Sequence, residues 1–168
     1  MKRRALPRLA DPYRDTDVID SRAPRFNQAV VGALSALAAA TGWWWLWAIL
    51  AGQLAVGLVL GRRFCLPCLA YFELVQPLLG EGSLEDARPP RFANMVGALF
   101  LSTAAAAYGL SGEIAGLALG SLVSALALLA AATGFCAGCE AYKLGCLLTG
   151  RPFVSCPLPP PPALEREA

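Results

Sequence analysis

The same cysteine signature occurs twice in this chain, each time at the end of a long apolar stretch. The first copy, FCLPC, occupies residues 64–68, and the second, FCAGC, occupies residues 135–139. An Arg-Phe pair followed closely by asparagine precedes each apolar stretch, beginning at Arg25 and at Arg91. The sequence therefore predicts a duplicated unit, and each unit ends in a pair of thiols.

Long uncharged stretches dominate the composition. Of the residues, 57% are hydrophobic and only 15% are charged, against roughly 45–50% and 25% in soluble proteins. No charged residue occurs in residues 29–60, 92–112 or 114–139. Because a helix needs about 20 apolar residues to cross a bilayer, we predict an all-α membrane protein with four transmembrane helices. They would form two parallel two-helix repeats, each followed by a CxxC and a short interfacial helix.

Three segments are predicted along the chain. Residues 1–24 form a polar, proline-broken cytoplasmic arm, and residues 149–168 form a proline-rich tail. The four-helix membrane domain covers residues 25–148, with its repeats at residues 25–80 and 91–148. No strand–helix–strand pattern surrounds either cysteine motif, so a thioredoxin fold is not expected.

The basic residues define the expected orientation. All 14 Lys and Arg residues fall on one side of the predicted bundle, whereas the opposite turns carry only Glu113. Basic loops stay in the cytoplasm, so both termini and both thiol pairs are predicted to be cytoplasmic in a multi-pass arrangement. The net charge is only +2, so membrane lipid is the expected partner and nucleic acid is not.

The thiols carry the predicted chemistry. A cysteine in the first turn of a helix meets free backbone N–H groups and the positive end of the helix dipole, which stabilise a thiolate. Arg62 and Arg63 stand just before Cys65 and favour its thiolate further. We therefore predict that Cys65 is the nucleophile and that Cys68 is the resolving thiol.

Internal symmetry is expected to bring the second pair, Cys136 and Cys139, close to the first. They would exchange with it or store a second pair of electrons. The thiols could exchange with disulfides, which would make the protein a thiol–disulfide oxidoreductase. They could instead carry sulfur as a persulfide. Neither use requires a cofactor. A third use is a non-catalytic metal site, in which the four CxxC cysteines bind zinc or an iron–sulfur cluster. Because the pattern is repeated, simple packing of the cysteines as small apolar residues is not favoured.

Other polar residues are candidates for binding substrate or supporting the thiols. Tyr71 and Tyr142 follow the two motifs at matching places and could donate to a thiolate or a ligand. Glu73 is a candidate proton carrier or an interfacial side chain that reaches water. Cys146 is either a third thiol in its half or a packing residue. Gln53, predicted near mid-membrane, either supports function or pairs helices. Together with the repeats it also fits a third function, a small transporter for a sulfur-containing solute, which would be a homo-oligomer.

The motifs together resemble those of a known family. Arg-Phe-Asn before the first span, FCLPC after the second and FCAGCEAY after the fourth resemble a bacterial integral-membrane family classed as a domain of unknown function. The resemblance covers about residues 20–148. It implies a bacterial inner-membrane location and a thioredoxin-like or rhodanese-like partner. A weaker similarity to membrane thiol oxidoreductases is limited by the predicted cytoplasmic position of both pairs, which argues against quinone use.

Overall fold

The computed structural model describes residues 10–110 and 112–150, and most of these residues are helical. Within them, six helices follow one another: α1 (Arg22–Thr41), α2 (Trp45–Val59), α3 (Leu66–Leu79), α4 (Arg88–Leu110), α5 (Glu113–Thr133) and α6 (Ala137–Leu148). A short 3₁₀ turn, Arg62–Phe64, leads into α3, and a π-helical turn, Tyr71–Val75, interrupts it. The two cysteine motifs therefore stand at the starts of α3 and α6.

Helices α1, α2, α4 and α5 form one bundle. Helix α1 packs along α5, and α2 packs along α4, so the first helix of each half lies on the second helix of the other half. Trp47 is fully buried at the centre, and its indole N–H donates to Oγ of Ser35 at 3.0 Å. Gly120 leaves the space that the indole ring fills, because a Cβ there would overlap the ring.

Two helices, α4 and α5, are long and apolar enough to cross a membrane, not the four that we expected. Helix α2 is too short at 15 residues. Helix α1 has 20 residues, but its first two turns contain Arg22, Arg25 and Gln28, which shorten its apolar part. Helix α1 therefore begins before the apolar stretch, and its first turns contain polar residues that the sequence pattern suggested to be at the helix boundary.

A two-stranded antiparallel sheet joins the two halves at the end where the thiols lie. Strand β1 (Val18–Asp20) pairs with β2 (Leu84–Asp86), and Ile19 is opposite Glu85. Ile19 and Glu85 each stand six residues before the Arg-Phe pair of their own unit. Equivalent residues therefore pair with each other. Three-residue strands are too short for a period-2 pattern, which is why the sequence did not predict them.

The polar segment before α1 is folded against the bundle. Residues 10–17 lie over α3, where they contact the turn before it and its aromatic side chains. The remainder of the predicted arm, residues 1–9, and residues 151–168 of the predicted tail lie outside the described residues.

Candidate thiol sites

Both motifs fold in the same way. Cys65 and Cys136 occupy the N-cap positions of α3 and α6, with extended φ/ψ angles of −85°/103° and −104°/110°. The carbonyl of each accepts the first helical hydrogen bond, from Leu69 N–H at 2.8 Å and from Glu140 N–H at 3.0 Å. The helix starts predicted from the sequence are therefore present at both motifs.

Each pair divides into a more acidic and a less acidic thiol. The hydrogen bond from the Cys68 thiol lowers the pKa of Cys65 to about 7, and that from the Cys139 thiol lowers the pKa of Cys136 to about 6. The same bonds, with burial, raise the pKa of Cys68 and of Cys139. Backbone N–H groups in the first helical turn also lower the pKa of the first cysteine in both motifs. The first cysteine of each pair is therefore the better nucleophile near neutral pH.

The two matching tyrosines anchor the cysteine helices. The Tyr71 ring lies 5.8 Å from that of Phe26 at 46°, and the Tyr142 ring lies 5.6 Å from that of Phe92 at 48°. Each pair holds a CxxC helix on the first helix of its own half. The Tyr71 hydroxyl donates to Asp20 Oδ2 at 2.9 Å and not to a thiol.

The first thiol pair is covered by the N-terminal segment. Cys65 is 3% exposed and Cys68 is 8% exposed. The Arg62 guanidinium donates to three carbonyls of the covering segment, those of Pro12, Asp15 and Thr16. Arg62 therefore holds this cover in place. Two further predicted supporting residues, Arg63 and Glu73, contact the same segment.

Arg63 and Glu73 both act on Tyr13. The Arg63 guanidinium lies 5.3 Å from the centre of the Tyr13 ring, and the Tyr13 hydroxyl donates to Glu73 Oε1 at 2.7 Å. Gln53, the remaining candidate near this pair, donates to the carbonyl of Phe64 at 2.8 Å. It thereby orders the turn that delivers Cys65 to its N-cap.

Two asparagines lie next to the first pair. The Sγ of Cys65 is 4.0 Å from Oδ1 of Asn27, and the Asn27 amide donates to Oδ1 of Asn94 at 3.2 Å. The sequence placed an asparagine shortly after the Arg-Phe pair of each unit, Asn27 directly after it and Asn94 one residue later. It did not indicate that one of them would contact a thiol.

The second thiol pair is more open. Cys136 and Cys139 are partly exposed, and the Gln28 amide donates to Sγ of Cys136 at 3.2 Å. Cys136 lines a cavity of about 380 Å³ that is otherwise largely apolar, with Phe100 and Leu126 among its walls. Gln28 was not among the predicted site residues, because one glutamine at the start of an apolar helix resembles an ordinary boundary residue.

The two pairs lie at the same end of the bundle, since Asn27 and Gln28 are adjacent and touch different pairs. All cysteines in the described part of the chain are free. These residues contain no group of three or more His, Cys, Asp or Glu side chains arranged to hold a metal ion. The structure thus shows two separate dithiols and not one four-cysteine centre. Cys146 is buried within α6, and its bond with Tyr142 raises the pKa of that tyrosine.

Asp20 is a structural residue that the sequence analysis missed. Its side chain is 2% exposed and accepts four hydrogen bonds, from the N–H of Arg22 and of Gly82, the Tyr71 hydroxyl and the Gln76 amide. It therefore ties the start of α1 to α3 beneath the first thiol pair. The sequence did contain a signal for it: Asp20 stands two residues before Arg22, as Asp86 stands two residues before Arg88. Asp86 likewise accepts the N–H of its arginine at a helix start.

The fold and the sites define a helical protein with two dithiol units and two helices that could cross a membrane. A family model described as a domain of unknown function (DUF4395) matches residues 19–146, and the chain belongs to this family. No curated protein and no solved structure matches the chain.

Proposed function

We propose that this is a membrane dithiol protein whose cysteine pairs perform thiol–disulfide exchange or sulfur transfer. One observation carries the proposal: both units place a first cysteine at a helix N-cap, where its pKa is lowered, and a second cysteine three residues later in the same first turn. A packing role requires neither feature. Both are what a nucleophilic thiol and its resolving partner need.

The two pairs differ in the partner that can reach them. The sequence favoured Cys65 as the nucleophile, but its burial beneath residues 10–17 keeps a protein surface away from it. Cys136 is partly exposed and has a pKa of about 6. In this proposal Cys136 attacks the disulfide of a thioredoxin-like or rhodanese-like protein, and Cys139 resolves the mixed disulfide.

The location is part of the same proposal. Helices α4 and α5 are long enough to span a membrane, and α1 and α2 pack along them. Basic residues surround the end with the thiols. At the other end, Trp43 and Trp44 lie in the turn and Trp45 begins α2, and all three are exposed. These features support a four-helix unit in a bacterial inner membrane with the thiols and both termini on the cytoplasmic side.

Mixed-disulfide trapping tests the function. A Cys139→Ser variant lacks the resolving thiol, so it should accumulate a mixed disulfide with an oxidised thioredoxin. The double variant Cys136→Ser/Cys139→Ser should form none, and Cys68→Ser should trap far less than Cys139→Ser. Equal trapping with and without Cys136 would contradict its assigned role. If neither Cys139→Ser nor Cys68→Ser traps the thioredoxin, the exchange function itself is contradicted.

A further inference from the structure

A small, partly enclosed cavity lies directly beside the first thiol pair. It has a volume of about 70 Å³ between the end of α2, the start of α3 and the start of α4. By this measure one water needs about 10–15 Å³, so the cavity holds an anion of a few heavy atoms and excludes a peptide. Its polar lining consists of Thr16, Arg62, Cys65, Cys68, Arg91 and Asn94.

Two arginines face this cavity without an anionic partner in contact. Among residues 10–110 and 112–150, neither Arg62 nor Arg91 forms an ion pair. Burial, and then the neighbouring charge of Arg91, lower the pKa of Arg62, while the charge of Cys68 opposes them. Asp15 and Asp17 act on Arg62 only as more distant charges. The cavity therefore concentrates positive charge next to a nucleophilic thiol.

Both guanidiniums retain hydrogen-bonding capacity. A guanidinium has five N–H donors, and Arg62 uses three hydrogen bonds to hold residues 10–17. Arg91 is exposed at the edge of the cavity, and within the described part of the chain its side chain donates no hydrogen bond. A small oxyanion would meet donors from both sides.

The arginine at the equivalent position of the first unit does not line a cavity beside a thiol pair, as Arg91 does. Arg25 is the equivalent residue in the first unit, and it donates to the carbonyls of Ala131 at 3.3 Å and Ala132 at 3.1 Å in the last turn of α5. Arg25 thus caps a helix next to the second cysteine motif. Within residues 10–110 and 112–150, Arg91 donates to no such carbonyl, and it lines the cavity at Cys65 instead.

We propose that this cavity binds a small sulfur oxyanion that carries a transferable sulfur, of which thiosulfate is the simplest, and presents it to Cys65. This inference rests on the proposed function, since it requires a reactive thiol at Cys65. It assigns the buried pair a small substrate and leaves the open pair to a protein partner. Phosphate and sulfate fit the charge but offer no sulfur that a thiolate can attack.

The step balances without an additional oxidant. The Cys65 thiolate attacks the outer sulfur of thiosulfate, and a new S–S bond forms as the bond to the central sulfur breaks. Sulfite leaves with the electron pair of the broken bond, and Cys65 becomes a persulfide. An acceptor thiolate, or cyanide as a laboratory acceptor, then takes the outer sulfur and regenerates the Cys65 thiolate. The positive charge of Arg62 and Arg91 stabilises the anion as it binds and the sulfite as it departs.

The test uses the reduced full-length protein in detergent with inorganic thiosulfate. Mass spectrometry should find one added sulfur on Cys65, and sulfite should appear in equal amount. Arg91→Gln should raise the thiosulfate concentration needed for half-maximal labelling about tenfold, equivalent to roughly 1.4 kcal/mol, because one charged donor to the anion is lost. Arg88→Gln is the matched control on the same helix, because Arg88 is paired with Asp86 outside the cavity. It should leave labelling unchanged.

A neutral alkylating reagent separates this inference from the proposed function. Arg91→Gln should change the rate at which Cys65 reacts with iodoacetamide, an uncharged reagent, by much less than it changes the thiosulfate requirement, which shows that the thiol is still in place and accessible. Trapping through Cys136 without any persulfide on Cys65 would overturn the anion site alone. Persulfide on Cys136, or equal effects of Arg91→Gln and Arg88→Gln, would overturn the assignment to this cavity. Failure of both trapping and sulfur transfer would overturn the proposed function as well.

Discussion

The two thiol pairs share one local structure and have opposite surroundings. In both, a cysteine occupies a helix N-cap and a tyrosine three residues after the motif packs on a phenylalanine. The first pair lies beneath residues 10–17 beside a small cavity with two arginines. The second is partly exposed beside a much larger apolar cavity. The same local geometry therefore occurs in one thiol pair that is covered and in another that a partner can reach.

The difference arises from a few residues outside the motifs. Arg62 holds the cover of the first pair through three backbone carbonyls. At the second pair, Gln28 contacts the thiol and Arg25 is used to cap α5. The two sites thus share the reactive element and differ in what can reach it.

Alkylation rates provide the strongest test of the difference in access. Opening the cover of Cys65 breaks six hydrogen bonds: three from Arg62, one from Tyr13 to Glu73, and those that join Ala10 to Glu81 and Asp17 to Ala87. At about 0.5 kcal/mol each this costs roughly 3 kcal/mol, so Cys65 should react about a hundredfold more slowly than Cys136. Site-resolved mass spectrometry after timed treatment at pH 7 with a maleimide too bulky for the cavity of about 70 Å³ beside Cys65 measures both rates. Similar rates at the two cysteines would show that the cover does not protect Cys65.

The second prediction removes the hydrogen bond within one pair. Cys139→Ala should raise the pKa of Cys136 from about 6 toward the ordinary value of about 8.5, because the donor to its thiolate is lost. The thiolate is the reacting form, so the pH midpoint of Cys136 alkylation should move upward while that of Cys65 stays in place. An unchanged Cys136 midpoint would mean that the backbone N–H groups alone stabilise the thiolate. Cys68→Ala is the corresponding experiment on the other pair.

The sequence predicted the parts of this structure that depend on repetition and helix chemistry. The helical content, the thiol pairs at helix starts and the asparagines near the ends of two helices all follow from local patterns. The family resemblance was confirmed by the match over residues 19–146. The number of helices able to span a membrane was wrong, because hydropathy alone did not reveal that Arg22 and Arg25 lie inside α1.

The surroundings of the thiols could not be predicted, because they depend on contacts between distant segments. Tyr71 was a candidate donor to a thiolate or a ligand, yet its hydroxyl donates to Asp20, 51 residues away in sequence. The meeting of the two thiol pairs was also expected from symmetry alone. A similar sequence in two segments does not determine how close together their ends lie, and no metal-binding group of four cysteines is formed within the described ranges.

The third prediction disturbs the packing of the first pair only. A Cβ on Gly57 would lie 2.9 Å from Cβ of Cys65, and overpacking of this kind costs about 1–3 kcal/mol. Gly57→Ala should displace Cys65 and change its alkylation rate about tenfold, the equivalent of roughly 1.4 kcal/mol. Gly52→Ala is the matched control in the same helix, since a Cβ there meets nothing within 4 Å. If both variants change the Cys65 rate equally, its packing against α2 is not what positions it.

The smallest expected effect concerns the amide at the second pair. Gln28→Leu keeps the size of the side chain and removes its hydrogen bond to Sγ of Cys136, which is the last of the contributions that lower the pKa of this thiol. A neutral hydrogen bond contributes about 0.5–1.5 kcal/mol, so the pKa of Cys136 should rise by less than about one unit. Gln53→Leu, which removes an amide that bonds a carbonyl near the other pair, should leave the Cys136 midpoint in place. A rise as large as that of Cys139→Ala would instead make Gln28 the main stabiliser of the thiolate, and the second site would then differ from the first in chemistry as well as in access.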